Sequence, residues 1–362
     1  MKTWDVIVIG AGIIGLSLAI ALRKNGLRVL IVERGEPGRE ASSAAAGMLA
    51  GSGAEIPHKL KILAEESGRL YPEFVHELED ESGSKVDLRE QGTILISAEG
   101  RFPEKAERVS RGQLAELEPE LQSALDGRER QSLDGYRFAS LAERSVDPRA
   151  LVAAAAKAAK HRSVDISSGT EVQRVLVEHS RVTGVETDKT SYSAPIVVNC
   201  AGAWAGCVGP AQFPVKPIKG QMLAVVGGPT LTHVVRAEKV YLVPRSDGRL
   251  TIGSTLEDAG YDKRVEVNTI EKLFHAAAEL VPGLTRSRQH EAWAGLRPGT
   301  PDELPILGET ETQGYFVAGG HYRDGILLAP ITAQVMTDLI LRKPCNHDLA
   351  SFAPSRFSRP ES

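Results

Sequence analysis

The chain has 362 residues, 42% hydrophobic and 25% charged, a balance ordinary for a globular enzyme and enough to bury a large core in one or two domains. Its 43 Lys and Arg against 47 Asp and Glu leave a net charge of −4, which gives no basic footprint for nucleic acid. The 3 cysteines, Cys200, Cys207 and Cys345, are odd in number and lack CxxC spacing; this argues against a disulfide framework or a zinc site and fits a reducing cytoplasm.

Val6–Ile9 is β-branched, Ile13–Lys24 is helix-compatible and ends at Asn25-Gly26, and Val29–Val32 is β-branched again, so the chain opens with a βαβ unit. The apolar run Val6–Leu22 is broken by Gly10, Gly12, Gly15 and Ser17 and has no signal cleavage site after it, so neither a membrane span nor a secretory signal is expected. Gly35–Gly53, rich in Gly, Ala and Ser, reads as a loop with a short helix. His58–Asp80 carries apolar residues at helical spacing and reads as a long helix broken or bent near Pro72. Thr93–Ser97 reads as a strand, and Leu114–Leu121 as a helical piece interrupted by Pro119.

Asp147-Pro148 caps an alanine-rich helix running through Lys160. Strands follow at Val164–Ile166, Glu171–Glu178 and Arg181–Thr187, the last two as a hairpin. Buried strand Ile196–Asn199 then runs into a close-approach turn at Gly202. Short strands at Met222–Val226, Val240–Val243 and Leu250–Gly253 accompany a helix over Asn268–Leu280. Tyr315–Ala318 is a strand, His321–Leu328 a loop, and Pro330–Arg342 a helix with proline in its first turn. The expected class is α/β: a Rossmann-like nucleotide-binding domain assembled from 1–85, 145–210 and 303–345, with an inserted α+β substrate domain from 86–144 and 211–302 on a largely antiparallel sheet. Residues 346–362 read as a C-terminal tail.

Gly10-Ala11-Gly12-Ile13-Ile14-Gly15 is a GxGxxG directly after a strand and opening a helix, where backbone amides and the helix dipole receive a pyrophosphate. Glu33, ending the second strand, can accept hydrogen bonds from both ribose hydroxyls. This pair leaves FAD and NAD both open. Arg297, after a short apolar strand and before Pro298-Gly299, is placed to form a bidentate pair with a carboxylate; a structural salt bridge is the alternative. Tyr241 reads either as a second carboxylate ligand or as a half-buried strand tyrosine. Arg323 reads equally as a site residue or a structural pair, and Lys216 and Lys219 as a solvated pair rather than a catalytic amine. No metal-ligating constellation is present in the sequence.

Four segments carry a resemblance. Ser42-Ser43-Ala44-Ala45-Ala46-Gly47-Met48, Asn199-Cys200-Ala201-Gly202-Ala203-Trp204, Trp293-Ala294-Gly295-Leu296-Arg297-Pro298 and Gly320-His321-Tyr322-Arg323-Asp324-Gly325-Ile326-Leu327-Leu328-Ala329-Pro330 together resemble the D-amino acid oxidase family of FAD enzymes, and within it the bacterial glycine oxidases. The likeness runs in one order from residue 4 to about residue 343.

The resemblance implies non-covalent FAD, since no cysteine lies near His321–Leu328. It implies contacts from Gly10, Gly12, Ile13, Ile14, Gly15, Glu33 and Arg34 at the nucleotide end, and from Ser42, Ser43, Ala46, Gly47 and Met48 along the flavin edge. Val172 matches the position whose backbone meets adenine. Ala201, Gly202 and Trp204 form a second contact segment, and His321, Tyr322, Arg323, Asp324, Gly325, Ile326 and Leu327 lie at the flavin pyrimidine. Arg297, Tyr241 and Arg323 are the implied substrate residues. Glycine, sarcosine or small D-amino acids are the implied substrates, with molecular oxygen as acceptor. A homotetramer and a role in thiamine biosynthesis are implied as well. Lys239 stands two residues before Tyr241, where glycine oxidases can show a histidine, and this departure bears on substrate choice.

Overall fold

The structure is a computed structural model and describes residues 3–51, 56–125, 133 and 135–357. The end of the expected Gly35–Gly53 loop and the last residues of the expected tail lie outside the described residues.

A six-stranded sheet collects segments from the start, middle and end of the chain in the order Ile306–Glu309, Tyr315–Gly319, Val197–Asn199, Val6–Ile9, Val29–Val32, Asp165–Ser167. Its pairings are parallel except at the edge, where Ile306–Glu309 runs antiparallel to Tyr315–Gly319. The inner strands read as continuous Val/Ile runs because both faces are covered. On one side lie helices Ile13–Lys24, Lys61–Ser82, Pro148–His161 and Ala329–Ile340, whose buried faces share one apolar cluster with Val6, Val8, Val29 and Ile31. On the other side a small antiparallel sheet of Val172–Glu178, Arg181–Thr187 and Ser191–Ser193 packs against Ile7, Ile9 and Val197. This is the α/β arrangement the chain order predicts.

The second large sheet has eight strands, in the order Arg288–Gly299, Lys216–Val226, Leu250–Gly253, Tyr241–Pro244, Val234–Arg236, Thr93–Ser97, Arg137–Leu141, Glu107–Val109. Only Val234–Arg236 and Thr93–Ser97 pair in parallel. One face, carrying Leu223, Val225, Val235, Leu242 and Ile252, is sealed by helix Val267–Leu280. Strand alternation sends Met222, Val234, Tyr241 and Val243 to the opposite face.

Several elements differ from expectation. Helix Lys61–Ser82 runs unbroken through Pro72, and His58–Leu60 forms a separate 3₁₀ turn ahead of it. The short strands expected at Met222 and before Arg297 are the ends of an 11-residue and a 12-residue strand paired over almost their whole length. The strand expected at Val164–Ile166 sits one residue later, at Asp165–Ser167. At Gly202 a Cβ would meet no protein atom within 4 Å; its φ of +55° favours glycine, and the residue lines the cavity described below. Beyond residue 346 the chain packs rather than trails, with Phe352 buried in the main core and Arg356 paired to Asp302 at 2.8 Å.

Candidate active site

A cavity of about 560 Å³ is lined on one side by the glycine loop, residues 41–48 and residues 318–326, and on the other by the free face of the eight-stranded sheet. The nucleotide end is built from backbone. Gly10 has a φ of +102°, and a Cβ there would lie 2.6 Å from the Cys200 carbonyl oxygen; a Cβ on Gly15 would lie 2.1 Å from the Gly10 carbonyl oxygen. Helix Ile13–Lys24 starts without a side chain of its own as cap and with no acid in its first turn, so its N-terminal dipole faces the cavity unopposed. Ser42 Oγ accepts the Ile13 N–H at 3.0 Å, which leaves the hydroxyl proton to donate to an anion. Glu33 accepts the Ala11 and Gly35 amides, each at 2.8 Å, and fixes the loop while retaining acceptor capacity for a ribose.

Residues 41–48 are clamped between the sheets. Trp293 Nε1 donates to the Ala44 carbonyl at 3.1 Å, and a Cβ on Gly295 would lie 2.4 Å from that of Ala44. Buried Arg245 donates to the carbonyls of Ala46 at 2.5 Å and Val146 at 2.8 Å. Beside it, burial raises the Asp147 carboxyl, but the charges of Arg245 and Arg249 and the Ala150 amide outweigh this and hold it below the ordinary carboxylate range. The 320–328 loop is fixed from behind: Tyr71 donates to the Ile326 carbonyl at 2.5 Å and Ser67 to that of Leu327 at 2.6 Å. His321 is buried with Nε2 3.0 Å from Thr332 Oγ1, and burial pushes its pKa down to about 3, so it is neutral at physiological pH.

The substrate face is built from side chains. Arg297 lies opposite Ile218, and its guanidinium turns across neighbouring Gly220, where a Cβ would lie 2.2 Å from Nη1. Nη2 donates to Ser254 Oγ at 2.7 Å and Nη1 to the Thr255 carbonyl at 3.2 Å, both neutral acceptors. No carboxylate pairs with this guanidinium among the described residues. Tyr241 crosses Gly253 in the same way, a Cβ there lying 2.7 Å from its hydroxyl. The Ser254–Glu257 segment is braced from beneath: Thr255 Oγ1 accepts the Gln221 amide at 2.8 Å and donates to Glu257, and Gln221 Nε2 donates to Glu257 at 3.0 Å.

Of the residues singled out in the sequence, Gly12, Ile13, Ile14, Ser42, Ala46, Gly47, Met48, Gly202, Tyr241, Arg297 and His321–Ile326 line one cavity. Gly10, Gly15 and Glu33 support it from one layer behind. Thr170 donates to the Glu33 carbonyl at 2.9 Å, which brings the strand of Val172 beside the nucleotide end without placing Val172 on the cavity wall. Ser43 bonds the Gly38 carbonyl instead of facing inward. Ala201 and Leu327 do not line the cavity, and Arg34 lies 3.5 Å over the Trp204 ring, outside it. Lys219, expected to be solvated, is 1% exposed and lies 3.7 Å from Glu257. Sequence reasoning missed Gly220, Gly253, Ser254 and Thr255. They carry no motif of their own; the one signal was a glycine beside the flagged Lys219.

A glycine cradle on a mostly parallel sheet, facing across one cavity an arginine with no carboxylate partner among the described residues, defines a dinucleotide-dependent enzyme that acts on a carboxylate substrate. The family model described as FAD dependent oxidoreductase matches residues 5–339, and the chain belongs to that family. FAD is the cofactor of the family, and the cradle fits it: the space that Cβ atoms on Gly10 and Gly15 would fill brings the loop up to the helix N-terminus. The chain is 35% identical to a glycine oxidase of Geobacillus kaustophilus over 98% of itself and 97% of that protein. The crystal structure of glycine oxidase from Geobacillus kaustophilus superposes with a TM-score of 0.89 at 33% identity, covering 98% of this chain and 99% of that one. A bifunctional protein ThiO/ThiG of Trichormus variabilis is 35% identical over 99% of this chain, which spans only 56% of that protein. A hydrogen cyanide synthase subunit HcnC of Pseudomonas aeruginosa is 31% identical over 99% of the chain and 97% of that protein. Among the described residues no helix is long and apolar enough to cross a membrane.

Proposed function

We propose that the enzyme oxidises glycine, sarcosine or small D-amino acids at the amine-bearing carbon to an imine, which water hydrolyses to a 2-oxo acid and ammonia, or methylamine in the case of sarcosine, while molecular oxygen takes up the electron pair as hydrogen peroxide. The observation that carries this is the Arg297 guanidinium: it lines the cavity, is held in place by two neutral oxygens, and has no carboxylate partner among the described residues. A substrate carboxylate completes it as a charge-assisted pair, and the Tyr241 hydroxyl supplies a further donor from the same sheet face. The chemistry that bound FAD supplies is acceptance of the α-hydrogen with its electron pair at N5. The protein's part is to hold the carboxylate so that the α-carbon has one orientation. His321, neutral and bonded to Thr332, adds no charge to that wall.

Oxygen as acceptor and a role in thiamine biosynthesis belong to the same reading, supported by the likeness to glycine oxidases and to ThiO/ThiG; a cytoplasmic setting and a homotetramer are proposed with it. A second reading is a dehydrogenase of an amino or 2-hydroxy acid that uses another acceptor: the chain is also similar to a protein not named an oxidase, the hydrogen cyanide synthase subunit HcnC, and Arg297 would seat either substrate's carboxylate. The test is hydrogen peroxide release by the purified, flavin-loaded protein in air with glycine, sarcosine, D-alanine and D-2-hydroxyglutarate. Peroxide from the amines is expected. Flavin reduction without peroxide moves the assignment to a dehydrogenase.

A further inference from the structure

Two of the cations on the cavity wall have no acid partner, and they lie on the same sheet. Arg101 is 3.3 Å from Glu99, Arg236 is 3.4 Å from Glu143, and Arg323 is bonded to Tyr322 Oη at 3.3 Å. Arg297 has only neutral acceptors, and Lys239 has neither an ion pair nor a hydrogen bond among the described residues. The acid adjacent to Lys239, Glu238, also lines the cavity and accepts the Ala98 amide at 3.0 Å rather than pairing with the lysine.

The placement of Lys239 follows from register. Arg236 and Tyr241 are directly opposite partners in a hairpin closed by the Ala237 amide bonding the Val240 carbonyl at 2.9 Å. Val240 and Leu242 point into the core under helix Val267–Leu280, whereas Tyr241 points into the cavity. Lys239, at the exposed tip of the hairpin, also lines the cavity and marks its mouth. Lys239 sits in the turn of that hairpin, two residues before Tyr241, and both residues line the one cavity.

The geometry points to a second anion seat at the mouth, with Lys239 selecting amino acids that carry a distal carboxylate, such as D-aspartate or D-glutamate. The inference rests on the proposed function, because it assumes that Arg297 takes the α-carboxylate. A small neutral substrate leaves Lys239 without a role, whereas a dicarboxylic one meets both uncompensated cations at once. Because Lys239 is exposed, its attraction is screened by water and salt and its effect is modest.

The test is anaerobic flavin reduction of the holoenzyme, comparing D-glutamate with its neutral isostere D-glutamine, and D-aspartate with D-asparagine. The expected acid-to-amide ratio of kcat/KM is about 1.5- to fivefold in favour of the acid, from the worth of an exposed ion pair. That ratio should fall towards one in Lys239→Gln, invert in Lys239→Glu, and decline in the wild type as ionic strength rises. A wild-type ratio at or below one overturns the inference, as does a ratio that Lys239→Gln leaves unchanged. If glycine and D-alanine reduce the flavin while either of these results holds, the proposed function survives and only the second seat is lost. If no amino acid reduces the flavin, both readings fall.

Discussion

The two walls of the cavity are made by different means. The nucleotide wall is backbone: a strand end, glycines without room for a Cβ, and the open N-terminus of a helix. The substrate wall is side chain: Arg297 and Tyr241 stand on strands 56 residues apart in the chain and become neighbours only through the pairing of the eight-stranded sheet. A wall of backbone tolerates no added atom and should fail as a unit, whereas a wall of side chains should fail by degrees, one contact at a time.

The largest effect is therefore expected from Gly10→Ala. Its new Cβ would meet the Cys200 carbonyl and adopt a left-handed φ. The variant should purify without stoichiometric flavin, read from the visible absorbance relative to protein. Full flavin content in that variant would break the contrast between the walls.

Arg297→Lys should keep its flavin and lose about ten- to a hundredfold in kcat/KM for glycine, because a charge-assisted bidentate pair is worth roughly 1.5–3 kcal/mol. Gly220→Ala sharpens the comparison, since it leaves the charge in place. The added methyl would occupy the space of the guanidinium, the mobile end of a long side chain, so the fold should hold while the guanidinium moves. We expect KM for glycine to rise by about tenfold, in proportion to a displacement near 1 Å. An unchanged KM would mean that the guanidinium does not need this position.

The smallest effect concerns His321 on the nucleotide wall. Its folded pKa is depressed by burial to about 3, so below the ordinary histidine value the unfolded chain binds a proton that the native state refuses. The stability it contributes is complete above that ordinary value of about 6.5 and is lost progressively as the pH falls towards 3, at up to about 1.4 kcal/mol per pH unit. The depressed Asp147 carboxyl acts in the same direction but only below its own ordinary range, so urea unfolding at pH 6.5 and 5 isolates the histidine. His321→Gln should flatten that dependence.

The same division explains what was legible in the sequence. A backbone cradle demands glycine at fixed spacing, so Gly10, Gly12 and Gly15 announced themselves, and the βαβ unit with its Val/Ile strands gave the parallel sheet. Arg297 and Tyr241 were visible as residue types in a resemblance, but what positions them was not. Gly220, Gly253 and the Ser254–Glu257 segment matter only because distant strands bring them under those two side chains, and no local pattern encodes that adjacency. Lys219 was misread for the same reason: charge alone suggests solvent, while its burial depends on Glu257 arriving from another strand. Arg34 lies over the Trp204 ring, a stack that no local signal in the sequence foretells.

The most direct test of the carboxylate seat is anaerobic flavin reduction by D-alanine and by D-alaninamide, which differ only in the α-carboxylate, and the readout does not depend on the electron acceptor. We expect D-alanine to reduce the flavin with a kcat/KM about ten- to a hundredfold higher. Equal values for the two compounds would contradict the assignment of Arg297 as the carboxylate anchor.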